Sequence, residues 1–207
     1  MIGRAGAPST QSLAQFAAIV LAAFYLPPLL IYFGIIPFAY RFVVLVTVAG
    51  VLALVAWRRG TPAADLGLRS DNFKPALALN AALAIALGSA LLAAFALGLM
   101  RQPRAIDWWW FAPFYVAVSC PAQEFLCRGF LFAEMQRRGI TGAGAQIAVS
   151  AVSYAFLHIV YRDWLAVVAS LAIGGVWGAL YRRYPNLWGV ILSHAVLGLV
   201  SIRVGLI

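Results

Sequence analysis

Apolar residues run along this chain in long blocks separated by short polar breaks, and block length rather than a two-residue alternation dominates the pattern. Seven blocks can be drawn, over about 13–37, 42–57, 76–99, 108–133, 143–161, 164–181 and 187–205, each near the roughly 20 residues a helix needs to cross the hydrocarbon core. A chain in lipid must satisfy its own backbone hydrogen bonds, so blocks of this length predict helices. The expected fold is all-α, a polytopic transmembrane bundle of about seven spans, with residues 1–207 forming one integral membrane domain. The polar interval from Arg58 to Lys74 contains the turn signals Thr61-Pro62 and Asp71-Asn72 and reads as a loop or short interfacial helix. The first block starts near Leu13 and passes Pro27 and Pro28 towards Tyr40. It is too long for the apolar core of a cleaved signal peptide and is read as a retained first helix.

Composition agrees: 64% of residues are hydrophobic and 10% charged, where a soluble domain has roughly 25% charged residues. The net charge of +9 raises the question of nucleic acid, but the basic residues stand singly or in pairs at block ends rather than in one patch. Topology explains them better, so the expected partner is membrane lipid and not nucleic acid. Alternating the blocks puts Arg4, Arg58, Arg59, Arg69, Lys74, Arg137, Arg138, Arg182 and Arg183 on one side. Arg41, Arg101, Arg104, Arg162 and Arg203 fall on the other. The nine-to-five excess assigns the first side to the cytoplasm, with the N-terminus inside and a bacterial-type inner membrane as the expected location. Trp108, Trp109 and Trp110 fit an interfacial aromatic belt.

Against this background Glu124 and Arg128 are out of place, because charge inside a span is expensive and marks a functional site by default. At about 100° per residue, Cys120, Gln123, Glu124, Cys127 and Arg128 share an arc of roughly 140°, a single polar stripe that must face protein or trapped water. Glu124 and Arg128 are spaced to pair along the helix, either as a structural lock or as part of a site. His158, one turn after Tyr154, and His194, beside Ser193, add two imidazoles on two further helices. Counted at about 1.5 Å per residue from the presumed cytoplasmic ends, His194 lies about 10 Å deep, Glu124 about 14 to 20 Å and His158 about 21 Å. The three meet only if helices tilt or bend, and Pro121 offers a place for a bend. A carboxylate and an imidazole can activate water while a second imidazole stabilises an oxyanion, a set suited to peptide hydrolysis. The alternative is a divalent metal such as zinc on Glu124, His158 and His194. Cys120 and Cys127, two turns apart on one helix, are too distant to bond to each other.

The order and spacing of these residues resemble the CPBP family of intramembrane proteases, which includes CAAX prenyl endopeptidases and bacteriocin-processing proteins. The matching segments are Gln123-Glu124-Phe125-Leu126-Cys127-Arg128 before Gly129, then Tyr154-Ala155-Phe156-Leu157-His158, then His194-Ala195-Val196-Leu197-Gly198, within about 105–205. The resemblance implies an endopeptidase that cuts a membrane-anchored protein or peptide near its C-terminus, with Gln123, Glu124, Arg128, His158 and His194 as the site.

 No cofactor is expected, with zinc as the alternative, and the expected roles are Glu124 as base or base partner, His158 helping to activate water, His194 stabilising the oxyanion and Arg128 orienting the acid.

Two departures from the family pattern change the picture. Gln123 stands where the family has the first glutamate, its water-activating base, and an amide has no useful basicity. Gly198 stands where the family has a polar residue. Gln123 fits an inactivated variant, a subgroup in which Glu124 takes over as base, or a chain without catalysis that serves as a membrane binding or scaffold protein. A further alternative is a Cys-dependent, sortase-like peptidase, because Cys120 or Cys127 with a histidine and Arg128 matches exosortases in residue type, though not in spacing. Gly174, Gly175 and Gly178 would either thin the sixth helix to admit a peptide or let helices pack closely.

Overall fold

The computed structural model describes residues 9–103 and 105–207; Arg4 and Arg104, both used in the charge count, lie outside the described residues. Among the described residues seven helices follow in order: α1 (Thr10–Tyr32), α2 (Phe38–Arg58), α3 (Phe73–Ala96), α4 (108–137), α5 (Ala143–Tyr161), α6 (Trp164–Arg183) and α7 (Leu187–Arg203). Among the described residues there is no strand. Five helices, α1, α2, α3, α5 and α6, are long and apolar enough to cross a membrane, and α7 is a shorter apolar helix. The fold is an all-α, polytopic bundle, as the block pattern predicts. The interval after α2 is a series of turns rather than an interfacial helix.

Helix α4 is the axis of the bundle, buried almost continuously from Ser119 to Met135 and touching α2, α5 and α7. The outer faces carry exposed Val43, Val46, Leu54, Ile85, Val168 and Leu171, whereas Glu124, Arg128, Gln146 and His194 are buried. This inversion, apolar outside and polar within, is what a lipid solvent demands. Glycines set the closest approaches. A Cβ at Gly189 of α7 would come within 2.8 Å of the Ala76 carbonyl oxygen on α3, and one at Gly174 of α6 would lie 3.3 Å from Ala151 Cα on α5.

Helix α4 is also irregular, with π-helical turns over Tyr115–Ser119 and Phe125–Phe130 on either side of Glu124. The first has a proline cause. Pro121 has no N–H and its ring crowds the carbonyl four residues back, so the ladder shifts and Cys120 N–H bonds to the Tyr115 carbonyl. Helix α1 repeats the pattern, with Leu26 N–H bonding to the Leu21 carbonyl just before Pro27. In the second turn of α4, Ser150 Oγ of α5 donates to the Cys127 carbonyl at 2.8 Å, taking up an acceptor inside the irregular stretch.

The helix ends are fixed by polar contacts. At one end Glu134 accepts from Arg59, Arg137 and Arg138, and Asn186 both caps α7 through Trp188 N–H and donates to the Arg69 carbonyl. At the other, Asp163 caps α6 and pairs with Arg101 at 2.6 Å, while Arg162 donates to the Tyr32 carbonyl. Arg59, Arg69, Arg137 and Arg138 from one basic set of the alternation scheme, and Arg101 and Arg162 from the other, thus occupy opposite ends. Trp109 and Trp110 are exposed at the start of α4, and Asp107 caps that start through Trp109 N–H.

Candidate active site

Glu124 and Arg128 sit one turn apart in the middle of α4, both with fully buried side chains, and pair at 3.1 Å. Arg128 also donates to the Gly174 carbonyl of α6 at 3.2 Å and stacks its guanidinium 4.6 Å from the Tyr154 ring centre. A buried cation is tolerable only with such compensation. Glu124 Oε1 makes a second contact, 2.6 Å from His194 Nδ1 on α7. Glu124 Oε2 is buried without a hydrogen-bond partner among the described residues. At their different depths along straight helices Glu124 and His194 meet only through a tilt or bend, and the π-helical turns of α4 supply an irregularity there.

His194 is held on several sides. Its Nε2 lies 3.2 Å from Tyr154 Oη, and its ring stacks on Trp177 of α6 at 4.7 Å. With Nδ1 protonated towards Glu124, Nε2 is the acceptor and the Tyr154 hydroxyl donates to it. His158, at the last turn of α5, faces Tyr154 with ring centres 4.8 Å apart, and its Nδ1–H donates to the Tyr154 carbonyl at 2.9 Å. Tyr154 therefore links the two imidazoles, one through its hydroxyl and the other through its carbonyl.

A cavity of about 430 Å³ opens beside these groups, lined on its polar side by Tyr115, Tyr154, His158, Ser170, His194 and Ser201. His158 also borders a second, narrow cavity of about 70 Å³, together with Gln123 and Arg41. Gln123 donates from Nε2 to Ser119 Oγ at 3.0 Å. Gln123 and His194 thus address different cavities, with His158 common to both, while Glu124 is sealed behind His194.

The zinc alternative has no three-ligand geometry: among the described residues no group of three or more His, Cys, Asp or Glu is placed to hold a metal. Both nitrogens of His194 are already engaged by protein groups. Cys120 and Cys127 are free and fully buried, and neither lines the 430 Å³ cavity. Gly174 and Gly178 pack against Tyr154, Ala151 and Ile147, so they serve close helix approach. Sequence reasoning missed Tyr115 and Trp177, which reach the site from α4 and α6. It also missed Asn80 of α3, whose Oδ1 accepts from Ser193 Oγ beside the site at 2.8 Å. A polar residue in the apolar block of α3 was the available signal for Asn80.

Fold and site together define a polytopic membrane protein with a buried carboxylate and imidazole joined across two helices. Residues 105–200 match the family model described as type II CAAX prenyl endopeptidase Rce1-like, consistent with the CPBP resemblance of the motifs. No curated protein and no solved structure matches the chain.

Proposed function

We propose that the chain is an intramembrane endopeptidase that hydrolyses a membrane-tethered protein near its C-terminus. The observation that carries this reading is the 2.6 Å contact between Glu124 Oε1 and His194 Nδ1, two residues on separate helices, beside a cavity large enough for an extended peptide segment. The pair has the logic of a carboxylate that fixes a histidine tautomer and leaves the other ring nitrogen as base.

In this reading His194 Nε2 takes a proton from water, the water oxygen bonds to the scissile carbonyl carbon, and the carbonyl electron pair moves onto its oxygen. The Tyr154 hydroxyl, released from Nε2, donates to that oxyanion. Collapse breaks the C–N bond, and the proton on His194 passes to the leaving amine. Glu124 stabilises the imidazolium and Arg128 holds Glu124 in place. His158 Nε2 and Gln123, which share the narrow cavity, hold water. This assignment moves the base from Glu124 to His194, because Glu124 is sealed and its Oε1 is already used twice. No cofactor takes part in these steps. The N-terminus faces the cytoplasm of a bacterial-type inner membrane, following the excess of arginine at that end.

The test is processing of a candidate membrane-anchored precursor by the chain and by its Gln123→Glu, Glu124→Gln and His194→Ala versions, with chelator in parallel. Cleavage by the parent, lost in His194→Ala and insensitive to chelator, is expected. Cleavage only by Gln123→Glu would make the parent a non-cleaving member of the fold, and loss on chelation would bring back the metal.

A further inference from the structure

A cavity of about 470 Å³ lies away from the candidate site, where the ends of α2, α4 and α6 meet the loop before α3. Arg59, Arg69, Arg137 and Arg182 line it, with Asp65 as the acidic residue among its lining groups. Their partners do not cancel this charge. Arg69 pairs with Asp71, whereas Arg59, Arg137 and Arg138 share the single carboxylate of Glu134. Arg182 is bonded to neutral groups, the Gln146 side chain at 2.8 Å and the Thr141 carbonyl at 3.3 Å. These five guanidiniums in and beside the cavity are thus set against three carboxylates, those of Asp65, Asp71 and Glu134.

Tyr181 supplies an independent observation. Its side chain is 2% exposed, it lines the same cavity, and its Oη has no hydrogen-bond partner among the described residues. A desolvated hydroxyl without a partner is costly, and an anionic oxygen in the cavity would satisfy it. Arginine forks suit phosphate oxygens. Leu54 and Trp57, on the last turns of α2 just before Arg59, are exposed on the outer face. The cavity therefore adjoins both the headgroup layer and an apolar surface for acyl chains.

We propose that this cavity binds a phosphate group, that of an anionic phospholipid headgroup. The test uses the full chain in detergent micelles, with thermal unfolding followed during titration with short-chain phosphatidylglycerol, phosphatidylcholine or inorganic phosphate. Phosphatidylglycerol should raise Tm with half-saturation at least about tenfold below that of phosphatidylcholine. Tyr181→Phe and Arg182→Gln should each weaken the phosphatidylglycerol response about tenfold, and Arg203→Gln, at the opposite end, should not. If Arg182→Gln lowers the unliganded Tm, Tyr181→Phe decides alone. Equal responses to the two lipids, or an undiminished response in Tyr181→Phe, overturn the proposal. A response to inorganic phosphate matching that to phosphatidylglycerol supports an anion site but overturns the lipid headgroup as its occupant.

Discussion

Tyr115 Oη occupies the space where a side chain at residue 198 would begin: a Cβ built on Gly198 overlaps the Tyr115 hydroxyl and lies 2.7 Å from its Cζ. The glycine that departs from the family motif is thus matched by a tyrosine from α4, which brings a hydroxyl to the cavity wall beside His194. Gly198→Ala should destabilise the protein by about 1–3 kcal/mol through overpacking. Thermal unfolding checks this. Adding Tyr115→Phe should recover part of the loss, since Oη is removed while Cζ stays too close. No loss in Gly198→Ala would show that the tyrosine moves aside freely.

Glu124→Gln should be among the most damaging conservative changes. It leaves Arg128 buried beside a neutral amide and takes the anionic partner from His194. Removing one member of a buried pair costs about 3–5 kcal/mol. Yield of folded protein and Tm in detergent should both fall, and by clearly more than for Gln123→Glu at the neighbouring, less enclosed position.

Tyr154→Phe separates chemistry from folding. The ring and its contacts with Trp177 and Arg128 remain, but His194 Nε2 and the proposed oxyanion lose a donor. Processing of a precursor should fall by about 10²-fold with little change in Tm. An unchanged rate would remove Tyr154 from the mechanism.

Replacing both Cys120 and Cys127 by Ala should leave processing intact, because both thiols are buried and neither lines the cavity. Loss of processing in a variant with parental Tm would favour the thiol mechanism.

Asp163, in the loop before α6, gives a pH prediction. Burial pushes its carboxyl up, but the hydrogen bond from Arg101 and the amides of Leu165 and Ala166 outweigh this and hold it below the ordinary range. A carboxyl depressed in the folded state stabilises above its unfolded pKa of about 3.9, and that contribution disappears as pH falls through the lower folded value. Loss of Tm on acidification through this range should be smaller in Asp163→Asn than in the parent. Equal acid slopes would remove Asp163 from the account.

Much of the site was legible because it is written along single helices. The spacing of Glu124 and Arg128 makes their pairing a local matter, and Tyr154 precedes His158 by one turn on α5. Relations between helices were harder to read. Tyr115 looks like one more aromatic in an apolar block, and Trp177 like a lipid-facing or core residue, until α4 and α6 are packed against His194. Gly198 reads as a missing polar group until the tyrosine that fills its place is seen.

The sequence by itself determined the all-helical bundle, the charged ends of its helices and the pairing of Glu124 with Arg128, because block length and helical periodicity are local properties of a chain in lipid. Only the tertiary structure decided that Glu124 contacts His194, that Gln123 faces another cavity and that Tyr115 lies over Gly198. Those relations depend on helix phase and approach. The π-helical turns around Glu124 reset the phase of α4, while Gly174 and Gly189 set how closely neighbouring helices come, and neither effect follows from spacing along one strand of sequence.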